Sequence, residues 1–269
     1  MVICISNQKG GVGKTTTAVL MAIGLAEKGY RVLAVDADPQ KNMSTLLQYD
    51  PDSRTGTLYD LLKGDELDGC TQSITKNLEL VAGDSAIYMA DIEFLTIKGN
   101  RPIVNLDLLS AHRAEIQKYD FVVIDTGPNL GTMLLNVLRA SDRVIIPTTP
   151  DTLSVDGIQA LSETINAAKE RNEGLEISGI LLTCYDRYNI SKVMEEDAKD
   201  VAGLIGTKVF NTRIRRGKDI RESHLTGENP MKLKRSGVGQ DYVTFIDEFL
   251  EEVNGDNKQA KRSSRTKKK

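Results

Sequence analysis

The chain has 269 residues, 40% of them hydrophobic and 27% charged, a balance that does not depart from that of a globular protein able to bury a sizeable core. No apolar run approaches the roughly 18 residues needed to cross a bilayer, and the N-terminus enters an apolar segment at Val2 without a basic stretch or cleavage site, so a cytoplasmic protein with no membrane partner is expected. The net charge of −3 hides an asymmetry: residues 258–269 hold seven Lys or Arg and no acid, which leaves −10 on residues 1–257.

Residues 1–6 are an apolar run too short for a helix, and a glycine-rich stretch leads from them into a helical pattern at 15–28, giving strand, loop and helix. Gly29 stops that helix, and residues 31–35 make a second apolar run ending at Asp36, as a strand buried on both faces of a parallel sheet does. From about Asp50 to Asn105 the pattern is less regular, with turn signals at Pro51, Gly56, Gly64, Gly69 and Gly99 and a short strand at 78–81. Strands follow at 121–124, 143–146, 177–183 and 208–214, separated by helical patterns at 131–140, 153–171 and 191–205, with a last helix at 242–253. This alternation predicts an α/β fold, a mostly parallel sheet flanked by helices. No repeat or Pro-rich linker divides the chain, so one domain is expected over residues 1–257. Residues 258–269 should form a disordered tail, either a solubilising terminus or an electrostatic arm for nucleic acid. Cys4, Cys70 and Cys184 lie far apart without a C-x-x-C pair and read as reduced, buried small hydrophobes. His112 and His224 lack ligand spacing and are assigned no chemistry.

The run Lys9-Gly10-Gly11-Val12-Gly13-Lys14-Thr15-Thr16 carries the G-K-[ST] ending of a P-loop, between a strand and a helix as the mechanism requires. Its glycines let the backbone N–H groups turn toward phosphate oxygens, and the following helix adds the positive end of its dipole. Lys14 supplies charge toward the β and γ phosphates of ATP, and the Thr15 hydroxyl takes one position on Mg²⁺. Asp36-Ala37-Asp38-Pro39-Gln40 closes the second strand, where ligands of α/β sheets bind; Asp38 either serves there or caps the next helix. Phe121-Val122-Val123-Ile124-Asp125 has the form of a Walker B strand, whose Asp125 would hold a Mg²⁺-bound water.

Gln8 stands where the first glycine of a P-loop usually falls, and Lys9 adds a second lysine within the loop. The resulting K-G-G-x-G-K-T-T resembles the deviant Walker A ATPase family. The likeness to its ParA and Soj members runs over nearly the whole chain, through D-A-D-P-Q, the Walker B segment, Leu181-Leu182-Thr183 and residues 209–222. The resemblance implies that Lys9 reaches across a dimer interface to phosphates held by the other subunit, so that ATP drives homodimerisation. Without the γ phosphate, two like-charged loops would face each other unneutralised. It also implies that Asp38 orients the attacking water, making Lys9, Lys14 and Asp38 the catalytic set. Thr126-Gly127-Pro128 resembles the family's D-x-P-P segment, with Gly127 in place of the first proline. The family's T-x-I-P-R-N reads here Thr212-Arg213-Ile214-Arg215-Arg216-Gly217, without the proline, so adenine contacts do not carry over. Opening directly on its first strand, the sequence is expected to be of the short, Soj-like type.

Other members of the family fit less well. Iron–sulfur carriers need cysteine pairs, the arsenite-pump type is a tandem repeat, and the MinD type ends in an amphipathic basic helix. Here the last predicted helix is acidic, with Asp247, Glu248, Glu251 and Glu252. Arg213, Arg215, Arg216, Lys218 and Arg221, followed by Lys232, Lys234 and Arg235, form either a solvated basic face with intramolecular partners or a surface for DNA phosphates. The expected function is a timer. ATP drives a dimer that holds double-stranded DNA non-specifically, and hydrolysis, stimulated by a ParB-like centromere-binding protein on a plasmid or chromosomal cargo, releases it from the nucleoid. The other reading is an ATPase that positions a protein cluster, or a regulatory interaction protein whose DNA affinity is incidental.

Overall fold

The computed structural model describes residues 1–89, 97–98, 101–102, 112–129, 131–150, 155–186, 189–218, 222, 226, 228–229, 231 and 237–266. The strands are β1 (Val2–Ile5), β2 (Val32–Ala37), β3 (Thr71–Thr75), β4 (Leu78–Val81), β5 (Ile97–Lys98), β6 (Arg101–Pro102), β7 (Phe121–Thr126), β8 (Arg143–Thr148), β9 (Glu176–Tyr185) and β10 (Val209–Arg215). The helices are α1 (Lys14–Glu27), α2 (Asn42–Leu46), α3 (Leu58–Lys63), α4 (Arg113–Ile116), α5 (Thr132–Ala140), α6 (Val155–Lys169), α7 (Asn189–Leu204) and α8 (Gly237–Thr266).

Apolar runs become central strands here because both faces of the sheet are covered, so side chains on either face are mostly apolar until the polar strand ends. Its order is β10-β9-β8-β1-β7-β2-β4-β3, parallel throughout except for β3, which runs antiparallel to β4 at the edge. The two-residue period sends Ile3 and Ile5 of β1 to one face and Cys4 to the other. The first face packs against α1, α2 and α8, the second against α3, α5, α6 and α7. Cys4 and Cys70 are buried as expected, whereas Cys184 is only half-buried.

The less regular stretch contains α3 and β3, neither of which the sequence pattern reveals; Gly99 lies outside the described residues. Helix α3 starts at a capping box in which Thr57 and Asp60 satisfy each other's backbone donors. Helix α8 begins at Gly237 rather than 242, and Val238, Tyr242, Phe245, Ile246, Phe249 and Val253 give it one buried stripe. It crosses α1 closely, since a Cβ at Gly24 would collide with Ile246. The helix also continues through Thr266, so the backbone of residues 258–266 is helical where the sequence reading expects disorder. Lys, Gln, Ala and Arg are good helix formers, and basic residues suit a helix C-terminus. Among the described residues no helix is long and apolar enough to cross a membrane.

Candidate active site

The loop after β1 turns over the carboxyl end of the sheet and enters α1. Gly11 (φ 76°) and Gly13 (φ 82°) take left-handed conformations, the second at the N-cap of α1. Among the described residues no side chain caps that helix, which leaves its first N–H groups without a side-chain acceptor. The loop is anchored from beneath: Ser6 N donates to Ile145 O (3.1 Å), Asn7 Nδ2 to Pro147 O (2.8 Å) and Lys9 N to Asn7 Oδ1 (3.0 Å). The Thr183 hydroxyl at the end of β9 donates to Val12 O (2.9 Å) and lies 3.2 Å from Thr148 O. Lys14 turns inward, buried, its Nζ donating to Lys9 O at 2.8 Å, whereas Lys9 itself is exposed. Burial lowers the pKa of the Lys14 ammonium, and the charges of Asp125 and then Asp38 oppose that fall.

Parallel pairing sets Asp36 of β2 beside Asp125 of β7, and Asp125 beside Ile5 of β1, which brings both acids under the loop. Asp125 is fully buried, and neither carboxylate oxygen has a hydrogen-bond partner among the described residues. Burial first, and then the charge of Asp36, raise its pKa well above the ordinary carboxylate value. Thr15 and Lys14 oppose the rise, Thr15 from a position that falls short of full hydrogen-bond geometry. Asp36, equally buried, is by contrast satisfied. It accepts from Ser44 Oγ (2.6 Å), Ser44 N (2.8 Å) and Asp38 N (3.2 Å), and Ser44 Oγ in turn accepts from Gly83 N at 2.9 Å. Burial still pushes the Asp36 pKa up to about 6 against these bonds. Asp38 is buried at the same strand end, with Oδ1 accepting from Gln40 N at 2.9 Å. A Cβ at Gly127 would come within 3.3 Å of Asp38 Oδ1, so the glycine that replaces a proline of the resembled motif also gives Asp38 its room. A cavity of about 170 Å³ opens here between Asp38, Gln40, Tyr88, Gly127 and Asn129.

On the other side of the loop lies a cavity of about 250 Å³ lined by Gly13, Thr16, Thr183, Cys184, Arg216 and Tyr242. Tyr242 is tied to the loop helix through its hydroxyl, 3.0 Å from Thr17 Oγ1. Cys184 holds φ at 49°, a left-handed conformation uncommon for a residue with a Cβ. These residues are the candidates for contact with a base, which the sequence motifs left unassigned.

The structure thus brings residues 9–16, Asp38 and Asp125 together, and adds Asp36, Ser44 and Thr183, which sequence reasoning missed. The repeated acid in Asp36-Ala37-Asp38 was a signal for the first and the Leu181-Leu182-Thr183 strand end for Thr183; Ser44 had none. The basic segment meets this group at Arg215 and Arg216, which line the cavity beside Gly13 and Thr16. Arg213 pairs with Glu195, and Arg215 makes a two-pronged pair with Asp241, both contacts at 2.7 Å. Arg216 and Lys218 are exposed, while Arg221, Lys232, Lys234 and Arg235 lie outside the described residues.

A glycine-rich loop between the first strand and helix of a parallel sheet, with a buried lysine beneath it and acids at the ends of the neighbouring strands, defines a P-loop nucleoside triphosphatase. The model of a family described as an AAA domain matches residues 1–177. The chromosome partitioning protein ParA of Caulobacter vibrioides is 37% identical over 230 residues, covering 84% of this chain and 85% of that protein. The sporulation initiation inhibitor protein Soj of Bacillus subtilis is 34% identical over 233 residues, covering 84% and 88%. Among solved structures, cobyrinic acid a,c-diamide synthase from Mycobacterium smegmatis, with bound ATP analogue and magnesium, matches with a TM-score of 0.76 at 29% identity, covering 93% of each chain. The chain belongs to the ParA and Soj family of chromosome-partitioning P-loop ATPases.

Proposed function

We propose that this chain binds ATP and magnesium at the strand ends of β1, β2 and β7, dimerises on ATP and holds double-stranded DNA without regard to sequence. With a ParB-like centromere-binding partner it then segregates or positions plasmid or chromosomal DNA on the nucleoid. The observation that carries the reading is the contrast between the lysines of one loop: Lys14 is buried over its own site, whereas Lys9 is exposed.

In this reading Gly10, Gly11, Val12, Gly13, Lys14, Thr15 and Thr16 cradle the phosphates. A buried carboxylate with no hydrogen-bond partner is costly unless a cation or donor faces it. Asp125 is such a group, with Thr15 and Lys14 beside it, and these residues fit a hydrated magnesium ion that Thr15 ligates directly and Asp125 through water. Among the described residues no group of three or more His, Cys, Asp or Glu could hold a metal alone, so phosphate oxygens would complete the ligand set. When bound, magnesium neutralises charge on the β and γ phosphate oxygens. Asp38 orients the attacking water. Residues 1–257 act as the ATPase domain and residues 258–269 as a basic extension of it. Of the DNA candidates, Arg216 and Lys218 offer exposed charge, and Arg221 joins them on sequence grounds. Arg213 and Arg215 already hold carboxylates of their own chain.

Light scattering and gel shifts with ATP, with ADP and without nucleotide test this reading. A dimer that shifts two unrelated duplexes only with ATP is expected. A monomer that shifts DNA equally in all three states overturns it.

A further inference from the structure

We infer that the last turns of α8 form a helical arm whose basic stripe grips the phosphate backbone of double-stranded DNA, and that this arm, more than the segment around Arg215, supplies the chain's electrostatic hold. The inference rests on the reading that the chain binds DNA. Helix α8 continues through Thr266, while its last buried side chain among the described residues is Val253. Within the extension the basic positions are 258, 261, 262 and 265, the spacing i, i+3, i+4, i+7. On a helix these positions share one face, within an arc of about 100°. Asp256, the single acid after Glu252, falls on the opposite side by the same period.

Charge on the rest of the molecule makes this stripe the best placed. Of the acids of the earlier turns, Asp247 pairs with Lys28, Glu248 with Asn211 and Thr212, and Glu252 with Lys208, while Glu251 is exposed one heptad before Lys258. Arg213 and Arg215 are neutralised by Glu195 and Asp241. The remaining body carries −10 and repels a polyanion. At 1.5 Å per residue the stripe runs from about 8 to about 18 Å beyond Val253 along the helix axis. That is at or past the Debye length of about 8 Å at physiological salt, measured from Val253. The partner's chemistry also follows from what the extension lacks. Residues 254–269 contain no aliphatic side chain larger than Ala260 and no aromatic one, so no apolar face exists to enter a bilayer or a partner's groove. Phosphate contacts need none.

The test uses the full chain with ATP and magnesium, a short duplex of arbitrary sequence, and two variants. In the first, Lys258, Lys261, Arg262 and Arg265 are each replaced by Ala. In the second, Ala260→Lys, Lys261→Ala, Ser264→Arg and Arg265→Ser keep the composition and net charge while scattering the stripe around the helix. The first variant should bind about tenfold or more weakly, with a salt dependence shallower by about 3 to 4 in log–log slope per chain, at unchanged basal ATP hydrolysis. The scattered variant should also lose affinity. Unchanged DNA binding by the first variant overturns the arm while leaving DNA binding itself intact. Full binding by the scattered variant also overturns it, because a disordered tail would serve as well as a stripe. Binding of the unaltered chain to anionic phosphatidylserine vesicles but not to duplex overturns both the arm and the DNA reading on which it rests.

Discussion

The centre of the sheet and its β10 edge treat charge in opposite ways. At the edge, charges find partners within the chain: Arg215 with Asp241, Lys208 with Glu252, Arg213 with Glu195, and Glu248 with the backbone and hydroxyl of Thr212. At the centre, Asp125 is more deeply buried than any of these, and its carboxylate has no hydrogen-bond partner among the described residues. Pairing at the edge fastens α8 to the sheet. Leaving a buried carboxylate unpaired at the centre costs stability, and it makes sense where a ligand supplies the missing countercharge.

Removing the central cation should break this contrast most severely. Lys14→Ala is expected to weaken ATP binding by at least about 10²-fold, since the phosphates lose a charge-assisted partner in a site that excludes water. Titration calorimetry would show it, and unchanged affinity would remove the loop from the nucleotide site. Asp38→Ala should retain ATP binding but slow hydrolysis by about 10²-fold, the scale of a positioning group. Steady-state phosphate release measures the rate, and light scattering should show the ATP-bound dimer accumulating.

Asp36 sharpens the comparison through pH. Its pKa rises from 3.8 to about 6 in the folded chain, so the native state holds the proton more tightly than the unfolded one. Its contribution is therefore most favourable below 3.8 and is lost as pH rises toward about 6, by an amount on the order of 3 kcal/mol. The difference in urea midpoint between the parent and Asp36→Asn should shift in favour of the variant across that window. A difference that stays constant with pH would show that Asp36 does not titrate there. At the edge, Arg215→Ala should cost about 1 kcal/mol, because the guanidinium is half-exposed and its pairing with Asp241 is partly screened by salt. Thermal melts at low and high salt would measure it.

The sequence made the central strands legible because burial on both faces leaves unbroken apolar runs, and the bounds of β4 agree to the residue. The edge strand β3, Thr-Gln-Ser-Ile-Thr, is half-exposed and has no such run, and α3 is too short for helical period to show. The end of α8 misled for a different reason: a segment without apolar residues reads as unfolded, although its residue types favour helix once a packed helix leads into it. The candidate site divides in the same way. The cradle was readable because residues 9–16 are contiguous. Ser44 reaches Gly83 across 39 positions, Thr183 reaches Val12 across 171 and Tyr242 reaches Thr17 across 225, and only the folded chain makes them neighbours.

The hydroxyl of Thr183 has a consequence for kinetics. It reaches Val12 O in the loop and Thr148 O in β8 from the end of β9, so the curvature of the loop is fixed by strands that lie outside it. A loop held in this way is shaped once, when the sheet assembles, rather than anew at each encounter with nucleotide. Its ordering entropy belongs to folding, and the arrival of a ligand is then limited by diffusion and orientation more than by rearrangement.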